Sequence, residues 1–190
     1  LENTLRFKII HLDLGEGLSG ASMVDNTLGV GILINAHDAP WRRNFDLAHE
    51  LFHIVTWHIF THEEIGDGSQ KTTPEKYADS FAASLLLPKE PLLAAMREIA
   101  VNQQLKLVDI IELAKEFGVS SEAVLWRLLN LRIIKKSQVD KILIDADFRY
   151  LDRNLRRGLY TEQKPEKFPQ RFISLACRCL MEGRISRGVF

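Results

Sequence analysis

The chain has 190 residues and a mass of 21.7 kDa, with 46% hydrophobic and 26% charged residues. This apolar fraction excludes a disordered chain, and the length predicts one domain, or one domain with a small appendage. The 25 basic and 25 acidic residues cancel, so bulk charge does not indicate a polyanion-binding protein. The charge is nevertheless uneven, because residues 1–100 carry 8 basic and 14 acidic residues (net −6) and residues 101–190 carry 17 and 11 (net +6). The asymmetry indicates two functional halves, of which the basic one suits an acidic partner.

The sequence also indicates the compartment of the protein. Its two cysteines, Cys177 and Cys179, are separated by one residue, which suits neither a disulfide nor a zinc ribbon. We expect reduced thiols, as in a cytoplasmic protein. No stretch approaches the ~20 apolar residues of a membrane span, and residues 1–16 lack the basic-then-apolar order of a signal peptide. A cytoplasmic protein without membrane attachment is therefore predicted.

Strands are predicted near the N-terminus. Arg6–Leu12 and Leu28–Asn35 are short, apolar and rich in β-branched residues, which is typical of strands. Gly15, Gly17 and Gly20 lie between them and indicate a loop. The sequence therefore predicts a small N-terminal sheet.

Helices are predicted over most of the remaining chain. From Trp41 the apolar residues recur at helical spacing, and Thr73-Pro74 resembles an N-cap followed by a first-turn proline, which predicts a helix that ends at Pro88. Further helices are predicted over 91–101, 107–117, 120–131, 137–148 and 169–182. A small sheet followed by helices predicts an α+β fold.

One motif carries chemistry: His49-Glu50-Leu51-Phe52-His53, which is H-E-x-x-H inside the first long predicted helix. Residues four apart in a helix are separated by about 400° of rotation and about 6 Å of rise, so both imidazoles project from one face and can share an ion. Neutral imidazole nitrogens suit Zn²⁺. Glu50 can reach the water of such a site without binding the ion, and is predicted to be its general base.

A catalytic zinc site needs a third protein ligand and an open position. The extended pattern H-E-x-x-H-x-x-G-x-x-H is absent, because Thr56 and Ile59 stand where the glycine and the third histidine would be. Glu75 at the start of the next predicted helix is the candidate, with Asp79 as acceptor for the second nitrogen proton of one histidine. An acid in the first turn is also favoured by the helix dipole alone. The alternatives left open are His58, His62, Glu63, Glu64 and Asp67.

Two segments together resemble the ImmA/IrrE family of zinc metallopeptidases. They are RRNFDLAHELFH (Arg42–His53) and EKYADSFAASLLLP (Glu75–Pro88), and the resemblance extends from Leu18 to Leu128. It implies a zincin-like fold, in which the small N-terminal sheet packs on the HExxH helix and a helical C-terminal part contains a helix-turn-helix-like hairpin. We expect residues 1–103 to form the metallopeptidase domain and residues 104–190 a helical region packed on it.

The resemblance also implies a site and an activity. One Zn²⁺ ion would be held by His49, His53 and Glu75, with Glu50 as the catalytic residue. The implied activity is that of a zinc metalloendopeptidase, which cleaves a helix-turn-helix repressor or antitoxin at a specific site in transcription regulation and the stress response. Phe52 stands where the family usually has glycine, and is expected to narrow the space beside the site.

The substrate contacts are less defined by the sequence. A substrate segment is expected to pair as an additional strand with an edge of the sheet, at Gly31–Asn35. An oxyanion-stabilising residue cannot be chosen by spacing, and the candidates are Tyr77, His62 and Arg43.

A second motif, Ala114–Val124, has helix-turn-helix spacing, with Gly118 in the turn. If the hairpin binds DNA, Ser120–Asn130 is the recognition helix. Its ionic side chains are only Glu122 and Arg127, which is poor for a major-groove helix, so packing of the hairpin on the peptidase is favoured. The alternative function is a metal-binding transcriptional regulator or interaction module with a vestigial peptidase site, acting through this hairpin.

Overall fold

A computed structural model describes residues 1–60, 72–99, 105–157 and 165–188. Its strands are β1 (Lys8–Leu12), β2 (Gly20–Asp25) and β3 (Gly29–Asn35). Its helices are α1 (Glu2–Leu5), α2 (Pro40–Val55), α3 (Thr73–Leu86), α4 (Lys89–Ile99), α5 (Leu107–Glu116), α6 (Ser121–Asn130), α7 (Lys136–Ile144), α8 (Ala146–Arg157) and α9 (Gln170–Met181). This order of elements confirms the predicted α+β fold.

The sheet has the strand order β1-β3-β2, so β3 is its central strand. β1 pairs with β3 in parallel, with Lys8 opposite Gly31, and β2 pairs with β3 antiparallel, with Gly20 opposite Ile34. The expected substrate edge at Gly31–Asn35 is therefore wrong, because both sides of this strand are already hydrogen-bonded. β2 is the edge strand that lies beside α2.

The sequence analysis assigned no strand to β2, which begins at Gly20 and contains small residues of low strand propensity. A tight turn joins it to β3. The Asp25 carboxylate accepts hydrogen bonds from the backbone N–H groups of Thr27 (2.8 Å) and Leu28 (2.6 Å), and Gly29 has a φ of 77°. Glycine adopts this left-handed conformation without the steric cost of a side chain. The turn therefore fixes the register that brings β2 beside the central strand.

Helix α2 packs against β2 and β3 on one side and against α3 on the other, which confirms the predicted packing of the sheet on the HExxH helix. The small buried side chains of Ala48, Ala78 and Ala82 allow α2 and α3 to approach closely. Helix α3 begins at Thr73, one residue earlier than predicted, because Thr72 rather than Thr73 is its N-cap. These contacts position the first turn of α3 beside the middle of α2.

The large apolar core lies in the helical part of the chain. It is built by α4 to α8 and includes the fully buried Ile111, Leu125 and Leu128. The predicted helix over 137–148 is in fact two helices, because the Asp145 carboxylate accepts hydrogen bonds from the first-turn N–H groups of α8. The other helices predicted after residue 90 agree with the structure to within two residues at each end.

Two further sequence predictions concern organisation. The proposed domain boundary between residues 103 and 104 lies outside the described residues or at their edge, and stays a prediction. Within the described ranges, no helix has both the length and the apolar character needed to cross a lipid bilayer.

Candidate metal centre

Three side chains from two helices converge at the contact between α2 and α3. His49 and His53 lie one turn apart on α2, and Glu75 lies in the first turn of α3. The Nε2 atom of His49 is 3.2 Å from Nε2 of His53 and 3.1 Å from Oε2 of Glu75, and Nε2 of His53 is 3.2 Å from Oε1 of Glu75. The three residues thus form a group of metal-type ligands whose atoms lie within 4.8 Å of one another.

The spacing and chemistry of this group fit a tetrahedral zinc site. For metal–ligand bonds of about 2.0–2.1 Å, neighbouring corners of a tetrahedron are about 3.3 Å apart. The three contacts of 3.1–3.2 Å match that edge length, and no further metal-type ligand among the described residues belongs to the group, so the fourth corner is left open by this part of the chain. Two imidazoles and one carboxylate are also a ligand set that Zn²⁺ accepts. The residues fit the ion, and its identity stays a prediction.

Asp79 fixes the orientation of His49. The Nδ1 atom of His49 is 3.1 Å from Oδ1 of Asp79, and because a carboxylate accepts hydrogen bonds, the proton lies on Nδ1 and the Nε2 lone pair points to Glu75 and His53. Burial, the largest influence, lowers the pKa of His49. The hydrogen bond to Asp79 and the neighbouring carboxylates outweigh burial, so the pKa lies above its ordinary value. Asp79 thus makes the contact that the sequence predicted for one of the two histidines.

Glu50 is held between α2 and the edge strand. It is 9% exposed, and its Oε2 atom accepts a hydrogen bond of 2.6 Å from the hydroxyl of Ser22 on β2. A Cβ atom at Gly20 would lie 3.3 Å from both Cγ and Oε1 of Glu50, so glycine leaves room for the carboxylate. The sequence analysis missed Ser22 and Gly20 because it did not recognise the strand that carries them.

A cleft of about 480 Å³ opens over these groups, between β2, α2 and α3. His49, Glu50, His53 and Glu75 all line it, so the candidate ligands and the candidate base face the same space. Its volume lies in the range of ligand-binding clefts. The site can therefore admit a substrate beside the metal-type ligands.

The family model described as the IrrE N-terminal-like domain, which is a peptidase family, matches residues 3–129. The chain belongs to this family. The match confirms the resemblance drawn from the sequence and makes this part of the chain a metallopeptidase-like domain of zincin-like fold. It includes the sheet, both helices of the site and the α5–α6 hairpin. No curated protein matches the chain at a significant level.

An ion pair between a buried aspartate and a half-exposed arginine lies at the cleft. Asp46 is 5% exposed, and its Oδ1 atom accepts a hydrogen bond of 3.1 Å from Nε of Arg42, which also donates to the hydroxyl of Ser19 at 3.2 Å. The other oxygen, Oδ2, is buried and has no hydrogen-bond partner among the described residues. Burial raises the pKa of Asp46 to about 6, although Arg42 opposes the shift. The sequence analysis missed this pair.

The remaining sequence candidates take no part in the described site. His58 is exposed and does not belong to the ligand group. Arg43 donates to the backbone carbonyl oxygen of Asp38 at 2.6 Å, and Tyr77 packs on Phe60 rather than lining the cleft. Both were weighed as oxyanion-stabilising residues, and neither contacts the ligand group in the described structure. The other candidates lie outside the described residues: His62, Glu63, Glu64 and Asp67.

Phe52 also differs from its expected role. Its ring packs against Phe60 and Phe81, with ring centroids 6.0 and 5.7 Å apart, and contacts the edge of His53. It is absent from the described residues that line the cleft, so the predicted narrowing is not observed. Phe52 instead supports one face of a candidate ligand.

The α5–α6 hairpin has the predicted turn and packs on the peptidase helices. Gly118 has a φ of 61°, and Ser120 caps α6. The Asn44 side chain of α2 donates to the Gly118 carbonyl at 2.9 Å, and Nε of Arg127 donates to the Leu87 carbonyl at 2.9 Å. Glu122 accepts a hydrogen bond from the Trp126 indole at 3.1 Å, so both ionic side chains of the candidate recognition helix are engaged within the molecule. This arrangement favours a packed hairpin over one that reads DNA.

Proposed function

We propose that the chain is a zinc-dependent metalloendopeptidase. The observation that carries this proposal is the set of three donor atoms of His49, His53 and Glu75, spaced 3.1–3.2 Å apart as the corners of a zinc tetrahedron, with Glu50 buried beside them. The free corner supports a catalytic site rather than a closed structural one. Membership of a peptidase family supports the same reaction class.

The chain's own residues have distinct roles in this proposal. His49, His53 and Glu75 hold the ion, which when bound supplies Lewis-acid activation of the reacting groups. Glu50 takes the proton of the attacking water and returns it to the leaving amine. Because Oε2 already accepts the Ser22 hydroxyl, Oε1 is the atom that receives the proton.

The substrate strand pairs with the outer edge of β2, which no described strand occupies. This edge strand contributes Gly20 and Ser22 to the cleft, so a segment paired with it passes the ligand group. An added strand obtains affinity from main-chain hydrogen bonds. The described edge therefore replaces the central strand named by the sequence analysis.

The substrate is a protein, and its class follows from the resemblance. We propose site-specific cleavage of a helix-turn-helix repressor or antitoxin in the cytoplasm, which would control gene expression under stress. The support for this substrate class comes from the family resemblance, and no side chain of the described cleft is specific for such a substrate.

The test is cleavage of candidate repressors encoded beside the gene by the zinc-loaded chain, with products identified by mass spectrometry. We expect Glu50→Gln to lower the cleavage rate at least about 100-fold, because a general base contributes that much or more. Zinc content and circular dichroism should be unchanged. Glu116→Gln, at an exposed position on α5, is the control and should cleave normally. Full cleavage by Glu50→Gln would refute the role of Glu50 as the base.

A further inference from the structure

The cleft over the metal-type ligands is called the metal cleft below. A second cavity, of about 680 Å³, adjoins it and extends toward α6. Arg42, Phe45 and Asp79 line both cavities, so the two cavities lie side by side. We call the second cavity the α6 groove. It lies between α2, α3 and one side of the hairpin's second helix, α6. A polypeptide bound in the metal cleft can therefore extend toward the α6 groove.

Aromatic side chains form the walls of the α6 groove. Trp41 and Phe45 come from α2 and Trp126 from α6, and all three are partly buried. The Nε1 atom of Trp126 donates to Glu122 at 3.1 Å, and the ammonium group of Lys136 lies 4.3 Å from the Trp126 ring centroid. Indole and phenyl walls held in this way suit an aromatic or aliphatic side chain.

The cations of the α6 groove lack an anionic partner within it. Lys76 is exposed, and its ammonium group makes no hydrogen bond or ion pair with the described residues. The guanidinium group of Arg127 is bound to two uncharged oxygens, so its charge is not neutralised. The carboxylate partner of Arg42, Asp46, lines the metal cleft but not the α6 groove.

The acids of the two cavities are distributed differently. Four carboxylates line the metal cleft: Asp46, Glu50, Glu75 and Asp79. In the α6 groove the acids are Asp79, which is bonded to His49, and Glu122, which accepts the Trp126 indole proton. Three cations and two carboxylates line the α6 groove, whereas four carboxylates and Arg42 line the metal cleft, so the charge changes from acidic at the metal-type ligands to weakly basic beside α6.

We propose that the α6 groove binds an acidic, aromatic segment of the protein substrate, several residues away from the scissile bond. This inference rests on the proposed function, because proximity to the cleft is what makes the occupant a substrate. Carboxylates of the segment face Lys76 and Arg127, and its aromatic side chain packs between Trp41 and Trp126.

Binding of two labelled peptides to the full zinc-loaded chain tests the inference by fluorescence anisotropy. One peptide carries Tyr-Glu-Glu-Phe between Gly-Ser spacers, and the other carries Tyr-Gln-Gln-Phe. We expect the Glu peptide to bind about fivefold more tightly, with the difference lost at high salt, as for partly exposed ion pairs. Lys76→Gln should lower the affinity for the Glu peptide about threefold and leave the affinity for the Gln peptide unchanged.

Lys89→Gln is the matched control, because Lys89 is an exposed lysine near the start of a helix and lies outside both cavities. Zinc content is measured for both variants, since Lys76 adjoins Glu75. Equal affinities for the two peptides, absence of binding, or equal losses in the two lysine variants would overturn the inference. Displacement of the peptide by a DNA duplex, with no preference for Glu over Gln, would assign the groove to nucleic acid and overturn it as well.

The anisotropy result is independent of hydrolysis, so the two proposals can fail separately. Preference for the Glu peptide without any Glu50-dependent cleavage would support the α6 groove as a docking site and refute the proposed peptidase activity. Cleavage of a protein substrate without that preference would do the reverse.

Discussion

The region around the metal-type ligands and the helical core differ in what they bury. Between α2 and α3 the buried residues are small alanines together with the charged side chains of Asp46 and Glu50. Across α4 to α8 they are large aliphatic residues, such as Ile111, Leu125 and Leu128. Burying a charged group destabilises the folded protein, whereas burying aliphatic surface stabilises it. The comparison teaches that stability and chemistry are placed in different parts of the molecule.

The two regions are joined by directed hydrogen bonds. Asn44 of α2 binds the turn of the hairpin through Gly118, and Arg127 of α6 binds the end of α3 through Leu87. The helical core thus braces both helices that carry the candidate ligands. Donor groups held in place by a rigid surrounding structure need no rearrangement when a metal ion binds.

The largest effect is expected in the helical core. Leu125→Ala should lower the free energy of unfolding by about 4 kcal/mol, because Leu125 is fully buried and its truncation leaves a cavity. Leu85→Ala, at a position that is 48% exposed, should cost far less. Urea denaturation of the two variants measures the difference. Equal losses would show that the core is not where the stability resides.

The buried Asp46 should make the stability of the folded protein depend on pH, with a loss of stability as the pH rises. The pKa of Asp46 is raised to about 6 in the folded protein from an ordinary value of 3.8, so its contribution to stability is greatest below pH 3.8 and is lost as pH rises through 6. This loss of stability amounts to about 2 kcal/mol between pH 4 and pH 8.

Asp46→Asn isolates this contribution when unfolding of the metal-free variant and of the wild type is compared across that range. The unfolding free energy of wild type minus that of the variant should fall as pH rises. Arg42, Asp38 and His49 also influence the pKa of Asp46, and all three are kept in the variant. A constant difference would show that Asp46 titrates normally.

Gly118→Ala should destabilise the contact between the hairpin and α2. This residue has a φ of 61°, and an added Cβ would lie 3.0 Å from the Asn44 amide nitrogen, so the variant combines backbone strain with a disturbed hydrogen bond. We expect a loss of about 2 kcal/mol. Gly183→Ala, at a φ of 68° with open space around it, should cost about 1 kcal/mol. A larger loss of thermal stability in Gly183→Ala than in Gly118→Ala would contradict this account of the contact between the hairpin and α2.

A smaller effect is expected at the edge strand. Ser22→Ala removes the hydroxyl that positions Glu50, and kcat/KM for a cleaved protein substrate should fall about tenfold, the value of a hydrogen bond to a charged group. Ser22→Thr retains the hydroxyl and should preserve most of the rate, with zinc content unchanged in both. An unchanged rate in Ser22→Ala would show that Glu50 needs no support from β2.

The sequence predicted the parts of the site that depend on helical spacing. His49 and His53 lie four residues apart, and Glu75 follows a recognisable helix start, so periodicity and the family motif were sufficient to name them. The pairing of Asp79 with one histidine also followed from its position on the same helix. The structure brings these residues together, while metal binding by them remains a prediction.

The parts that the sequence did not predict depend on contacts between distant segments. Ser22 and Gly20 meet Glu50 only because a hairpin adds β2 to the sheet, and small residues give a weak strand signal. The Arg42–Asp46 pair has ordinary helical spacing, and nothing in the sequence shows that Asp46 is buried. The break between α7 and α8 depends on the Asp145 carboxylate, which helical periodicity does not reveal.

The most direct test of the central claim is the zinc stoichiometry of the purified chain after dialysis, measured by elemental analysis with a titration of affinity. The wild type and Glu90→Ala, which removes an exposed acid from the first turn of α4, should each hold one zinc ion per chain. Glu75→Ala should weaken the affinity by more than about 100-fold, because it removes one of three protein ligands. Equal zinc content and affinity in Glu75→Ala and Glu90→Ala would contradict the claim that α2 and α3 together hold the ion.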